Sequence, residues 1–138
     1  IYTLSLHDAL PISAGRAKAV SGQFVPVAVL DLVILDFLYR IRERGIEVPV
    51  IAGIMPVTNR KQIKRITQLS GNYLPEKFKA VVDRFGDDPA AMRQAGVAYA
   101  TGQIIDLIAN GVSHVHIYTM NQPDIAGRII GNLSEIFR

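Results

Sequence analysis

The sequence predicts an α/β domain built on a parallel β-sheet. Two apolar, β-branched segments, residues 48–54 and 114–120, have the composition of strands, and amphipathic helical patterns flank and separate them. The order of helix, strand, helices, strand and helix is typical of parallel sheets with right-handed crossovers, in either a doubly wound fold or a closed barrel. The first segment has no polar alternation, which predicts a strand that is covered on both faces.

The composition is that of one ordinary domain with a hydrophobic core. The chain has 138 residues, of which 49% are hydrophobic and 20% are charged. It has no cysteine, which excludes disulfides and thiolate metal sites and favours a reducing, cytoplasmic location. The net charge of +3 is scattered, so we expect no nucleic-acid partner. Pro26, Asp31 and Asp36 interrupt the longest apolar stretch, so we expect no membrane partner either.

The N-terminal residues are set apart from the predicted domain. Residues 1–13 lack the basic start and the cleavage site of a signal peptide, and they resemble translated sequencing-adapter sequence. We expect a non-native or disordered leader there, with no site at His7 or Asp8. Residues 14–30 contain a weak strand pattern that Gly22 and Pro26 interrupt.

Apolar side chains at helical spacing predict three helices before the second strand. They begin at Asp31, at Asn59, which can cap a helix, and at Pro75, which suits a first turn. A glycine follows each helix and, after the first two, ends it, because glycine tolerates the left-handed conformation that follows many helices. These glycines are Gly45, Gly71 and Gly86, and the residues predicted to face inward are Ile34, Leu35, Leu38, Ile41, Ile63, Ile66, Leu69, Phe78, Val81, Val82 and Phe85.

Two further helices surround the second strand. One runs from Asp88-Pro89 to Asn110-Gly111, although the internal glycines Gly96 and Gly102 weaken it. The last helix opens at Pro123 after the strand 114–120. Its predicted inward residues are Ile125, Ile129, Ile130, Leu133 and Ile136.

The number of strands is low for an independent sheet. Sheets usually have about four to six strands, whereas the sequence gives two, and a weak third near residue 20. The chain is therefore expected to be either a curved remnant of a domain or one part of a larger domain, and we favour the second interpretation.

Polar side chains follow both predicted strands, where α/β folds place their chemistry. Gln62 has two interpretations. It can pair with Asn59 in a capping box, or it can offer a donor and an acceptor to a heterocycle such as a pterin or pyrimidine. The residues after the second strand, which include Tyr118, Thr119, Asn121 and Gln122, are equally compatible with a ligand site and with ordinary turn chemistry.

Other chemistry has little sequence support. His114 and His116 alternate along the second strand, but no third ligand stands at a diagnostic spacing, so packed or hydrogen-bonded histidines are favoured over a metal site. The glycine-rich nucleotide motifs and the G-x-S-x-G elbow are missing from the sequence. We therefore predict no metal site and no catalytic residue from motifs alone.

Three segments carry a resemblance to a known family. PVIAGIMPVTNRKQIKR, LSGNYLPEKF and LIANGVSHVHIYTMNQPD, in this order and spacing, resemble the carboxyl-terminal part of the methylenetetrahydrofolate reductase family, with the likeness running from about Asp36 to Arg138. The family is a flavin-dependent (β/α)₈ TIM barrel. The resemblance implies that residues 14–138 are the carboxyl-terminal part of such a barrel, its last two to three β/α units.

The resemblance also implies an activity. The family passes a hydride from NAD(P)H to bound FAD and then to 5,10-methylenetetrahydrofolate, which gives 5-methyltetrahydrofolate for methionine biosynthesis. Its catalytic acid and most of its flavin contacts lie on early strands that have no counterpart here. This oxidoreductase fragment is therefore expected to be inactive alone, with its cofactor-binding residues unknown, and to form a homo-oligomer when full length.

Three glutamines are the substrate-binding candidates that the resemblance implies. Gln62 matches the folate-contacting glutamine of the family's GIMPVTNxKQ motif, and Gln23 is the local candidate for a second folate-contacting glutamine. Gln122 stands where the family has a basic residue that contacts folate, and Gly102 stands where relatives tend to have glutamate. The alternative is a small non-catalytic α/β binding or interaction module in which Gln62 is only a helix cap.

Overall fold

The fold is described by a computed structural model that covers residues 31–69 and 74–137. The predicted leader, the weak strand near residue 20, Gln23 and Gly71 lie outside the described residues. The elements in chain order are α1 (Asp31–Glu43), β1 (Ile51–Ile54), α2 (Arg60–Leu69), α3 (Glu76–Phe85), α4 (Pro89–Ala109), β2 (His114–Ile117) and α5 (Pro123–Asn132). This order confirms the predicted α/β class.

The two strands form a parallel pair, as predicted. Ile51 is opposite His114 and Ile54 is opposite Ile117 in the register of β1 and β2. The Tyr118 amide donates to the Ile54 carbonyl at 2.8 Å and so extends the ladder by one bond. Because the strands are parallel neighbours, loops 55–59 and 118–122 leave the same edge of the sheet.

Both strands are shorter than the sequence pattern predicts. Residues 48–50 precede β1, and the Val48 carbonyl accepts from the Arg42 guanidinium at 3.3 Å. At the other strand, Met120 and Asn121 take left-handed backbone angles, with φ of 50° and 64°, which are incompatible with continued pairing. Side-chain and turn geometry thus set the strand ends.

The helices cover one face of the sheet. Ala52 and Ile54 are buried in a cluster with apolar residues of α1, α4 and α5. On the opposite face Ile51 is 45% exposed, and His114 and His116 are also exposed. The prediction that the first strand is covered on both faces is therefore wrong for the described part of the chain, because its helices pack on one side only.

A second hydrophobic cluster lies at the carboxyl end of β1. Met55 and Val57 pack there with Phe78 and Val82 of α3, and with Met92 of α4. The predicted inward stripes are wider than the faces that the helices bury. Phe85 at 38%, Ile130 at 57% and Ile136 at 43% exposure were predicted to be buried and are not.

None of the helices within residues 31–69 and 74–137 is long and apolar enough to cross a membrane. The longest, α4, is interrupted by polar side chains and buries Thr101 and Gln103. It contacts α1, α3 and α5. It is therefore the central support of the described fold.

The start of α4 offers a test of helix capping. The Asp88 carboxylate accepts from the backbone amides of Ala90 and Ala91 at 2.9 and 3.1 Å, and Pro89 occupies the first turn. Asp88→Ala should lower the free energy of unfolding by about 1 kcal/mol, because two helix amides lose their acceptor. Asp87→Ala is the control, because Asp87 makes an exposed ion pair with Arg60 that is worth about 0.5 kcal/mol. Urea denaturation followed by circular dichroism measures both, and equal losses would contradict the capping role.

Candidate functional site

The loop after β1 is buried and held against α4. Residues 55–58 are all buried, and the Val57 carbonyl lies against Gly96 of α4. A Cβ atom built on Gly96 would lie 2.0 Å from that oxygen, so only glycine allows the helix to approach this closely. The loop therefore has a fixed position relative to α4.

Gln62 and Asn59 form the reciprocal bonds of a capping box. The backbone N–H of Gln62 donates to Asn59 Oδ1 at 3.1 Å, and the backbone N–H of Asn59 donates to Gln62 Oε1 at 3.2 Å. The Thr58 amide also donates to Gln62 Oε1, at 2.8 Å. The predicted capping interpretation is thus seen directly. Because the oxygen of Gln62 already accepts from two backbone amides, its NH₂ group is what remains for a ligand.

The loop after β2 makes a tight turn. Met120 and Asn121 are consecutive non-glycine residues with left-handed φ. The backbone N–H of Gln122 donates to the Thr119 carbonyl at 3.1 Å. Gln122 stands at the cap position of α5 but makes no side-chain capping bond. Gln122 is half-buried, and its side-chain amide is therefore not used to start the helix.

Arg93 of α4 reaches this second loop. Its terminal nitrogen lies 2.5 Å from Asp124 Oδ2 and 3.5 Å from Gln122 Oε1. Its Nε is buried and has no hydrogen-bond partner within residues 31–69 and 74–137. Sequence reasoning missed Arg93, since an arginine in a helix gives no local sign of a contact with residues 29 and 31 positions away.

The two histidines lie on the exposed face of the sheet. His114 Nδ1 is 2.8 Å from Ser113 Oγ, and the His116 ring packs 4.3 Å from the Tyr118 ring at 59°. In the described residues, groups of three or more potential metal ligands are absent. His114 and His116 thus make a hydrogen bond and a ring contact, and the expectation that they bind no metal stays a prediction.

The fold brings two of the three candidate glutamines to one edge of the sheet. Gln62 follows the end of β1 and Gln122 follows the end of β2, while α4 touches both loops through Gly96 and Arg93. The position of Gln23 lies outside the described residues. This edge of the sheet therefore carries side-chain amide and hydroxyl groups, and α4 contacts both of the loops that hold them.

Sequence comparisons agree with the resemblance and confirm it. The relative named Methylenetetrahydrofolate reductase (NADH) 1, from Zea mays, is 33% identical over 104 residues, which are 75% of this chain and 18% of the relative. Methylenetetrahydrofolate reductase 1 from Schizosaccharomyces pombe is 32% identical over 127 residues, or 92% of this chain and 20% of the relative. The 5,10-methylenetetrahydrofolate reductase from Escherichia coli is 29% identical over 122 residues, which are 88% of this chain and 40% of the relative.

The chain thus covers between 18% and 40% of the length of these relatives. A sequence model of the family described as methylenetetrahydrofolate reductase matches residues 13–134, which include both strands and all five helices of the described fold. The chain belongs to the methylenetetrahydrofolate reductase family.

Proposed function

We propose that this chain is the folate-contacting part of a reductase that converts 5,10-methylenetetrahydrofolate to 5-methyltetrahydrofolate. The observation that carries the proposal is the position of loop 55–59, which lies within the GIMPVTNRKQ segment, at the edge where both strands end. Ligands of parallel α/β folds bind at this edge. Catalysis and its reductant, NAD(P)H, belong in this proposal to the longer polypeptide that the relatives have.

A barrel is the architecture that accounts best for the uncovered sheet face. Ile51, His114 and His116 are exposed although parallel strands are normally buried on both faces. In a closed (β/α)₈ barrel this face would point inward and be covered by side chains of the remaining strands. We therefore propose that β1 and β2 are two neighbouring strands of such a barrel, with α1, α4 and α5 outside it.

The described residues do not fit FAD by themselves. The two loops offer neutral amides and hydroxyls, and the arginines next to them, Arg60 and Arg93, are each paired with a carboxylate. A flavin dinucleotide carries a diphosphate that needs cationic or backbone N–H donors. We therefore assign the flavin site to other strands of the family barrel and derive no step through it from these residues.

The chemistry of the two loops suits substrate orientation. The Gln62 NH₂ group can donate to a carbonyl or ring nitrogen of a folate, and its oxygen is held by the Thr58 and Asn59 amides. Those bonds fix the side-chain rotamer before the ligand arrives, so less conformational entropy is lost on binding. Gln62 is thus assigned to binding and orienting the substrate.

Gln62→Glu separates ligand binding from capping. Glutamate can still accept from the Thr58 and Asn59 amides, so stability should change by less than about 0.5 kcal/mol. Glutamate lacks the NH₂ donors, so kcat/KM for folate reduction by the full-length enzyme should fall about tenfold or more. The rate of flavin reduction by NAD(P)H should stay within about twofold of the wild-type rate.

Gln62→Met is the matched control, because it removes the cap as well as the donor and should lower both stability and folate turnover. The competing candidate is a non-catalytic α/β module in which Gln62 is only a cap. The capping bonds of Gln62 are the observation that favours this alternative. If Gln62→Glu leaves folate turnover unchanged, the proposal for Gln62 is wrong and the capping interpretation stands alone.

A further inference from the structure

We propose that Arg93 is a positioning residue for Gln122, and that it holds the amide by its oxygen so that the loop offers N–H donors to the ligand. The inference rests on the proposed function for the identity of the ligand, but not for the contact itself. It concerns a residue of α4, well separated in sequence from both loops.

The contact geometry supports an oriented guanidinium. Arg93 is bound to Asp124 at 2.5 Å, in a pair whose side chains are 38% and 51% exposed. This pairing fixes the planar group, and the same terminal nitrogen then lies 3.5 Å from Gln122 Oε1. Since an arginine can only donate, the Gln122 oxygen must be the atom that faces it.

The cost of placing Arg93 there indicates a role beyond stability. Its Nε is buried and has no hydrogen-bond partner among the described residues, an arrangement that costs free energy and that a methionine at the same position would avoid. The loop itself is also strained, because Met120 and Asn121 are both left-handed without being glycine. Such a turn persists only if its surroundings hold it, and Arg93 provides a contact from outside the turn.

The consequence is a specific hydrogen-bonding character at this edge of the sheet. The oxygens of Gln62 and Gln122 are both engaged by protein donors, so each amide has its NH₂ group left to offer. Two donors select a ligand edge that is rich in acceptors, such as carbonyl or carboxylate oxygens. Folates carry both kinds of group.

Nuclear magnetic resonance of the 138-residue chain tests the positioning without any ligand. In Arg93→Ala and in Arg93→Lys, which keeps the charge but not the planar fork, the side-chain NH₂ signals of Gln122 should move to random-coil positions. Arg40→Ala is the matched control, because it breaks an exposed ion pair with Asp36 on α1 and should leave these signals unchanged. Unchanged Gln122 signals in Arg93→Ala would overturn the proposal.

Asp124→Asn keeps the inference testable if Arg93→Ala fails to fold. It removes the charge that fixes the guanidinium while retaining the side-chain shape. The Gln122 NH₂ signals should again move toward random-coil positions, while the backbone amides of α4 stay in place. A folded Asp124→Asn variant with native Gln122 signals would count against Arg93 as the positioning residue.

Titration of the full-length enzyme with 5-methyltetrahydrofolate distinguishes this inference from the proposed function. Arg93→Ala should raise the apparent Kd about tenfold, since one oriented donor is lost. In a Gln122→Ala background the same change should have less than about a twofold effect, because Arg93 acts through Gln122. Fully additive effects would overturn the inference. If Gln62→Glu and Gln122→Ala leave folate binding by the full-length enzyme unchanged, but Arg93→Ala still releases the Gln122 side-chain amide, the proposed function fails and the positioning role stands.

Discussion

Gly96→Ala should destabilise the chain by about 3 kcal/mol or more, which is enough to unfold a marginal domain. The added Cβ would lie 2.0 Å from the Val57 carbonyl oxygen, 2.8 Å from its carbon and 3.3 Å from Thr58 Cα. All three are backbone atoms of a buried loop, so no side-chain rotation can relieve the clash. Helix α4 would have to move away from the loop after β1. Urea denaturation followed by circular dichroism at 222 nm measures the loss.

Gly102→Ala is the matched control, because the same substitution is made six positions later in the same helix. A Cβ at Gly102 meets nothing within 4 Å. Alanine there should stabilise the chain by about 0.5–1 kcal/mol, since it restricts the unfolded chain and favours the helix. The pair thus predicts opposite signs from one chemical change. A mild effect of Gly96→Ala, similar in sign to that of Gly102→Ala, would contradict the close approach of α4 to Val57.

The order of elements could be predicted because its determinants are local. Helix starts depend on caps such as Asp88 and Asn59, and helix ends depend on left-handed glycines such as Gly45 and Gly111. The predicted bounds of α4 agree with the structure to within about two residues. The strand ends could not be predicted in this way, because left-handed Met120 and Asn121 have no glycine signature.

The site could be predicted in part for the same reason. Gln62 follows a strand and its bonds to Asn59 span three residues, so the sequence pattern predicts its capping bonds, while its role in substrate binding stays a prediction. The Arg93 contact with Asp124 spans 31 residues and depends on how α4 packs beside α5. From the sequence, Gly96 predicts only a weaker helix. Its close approach to Val57 is a tertiary property, which helix propensity does not describe.

Phe78→Ala should cost about 3–5 kcal/mol, because it opens a cavity in the cluster below the loop after β1. Phe78 is 1% exposed, and its ring lies 4.7 Å from that of Tyr99 at a tilt of 57°. Its cluster also contains Met55 and Val57, so the cavity would open in the cluster that supports the loop leading to Gln62. We therefore expect the loop to lose order as well as the chain to lose stability.

Hydrogen exchange of the Thr58 amide separates these two effects. This amide donates to Gln62 Oε1 at 2.8 Å, so its protection reports whether the capping box persists. Phe85→Ala, on the same helix but at a residue that is 38% exposed, is the control and should cost less than about 1 kcal/mol without changing Thr58 exchange. One outcome is that Phe78→Ala lowers global stability while the Thr58 amide exchanges no faster than global unfolding allows. In that case α3 stabilises the fold without positioning Gln62. If the Thr58 amide exchanges faster than global unfolding can account for, the α3 cluster holds the loop that leads to Gln62 in place.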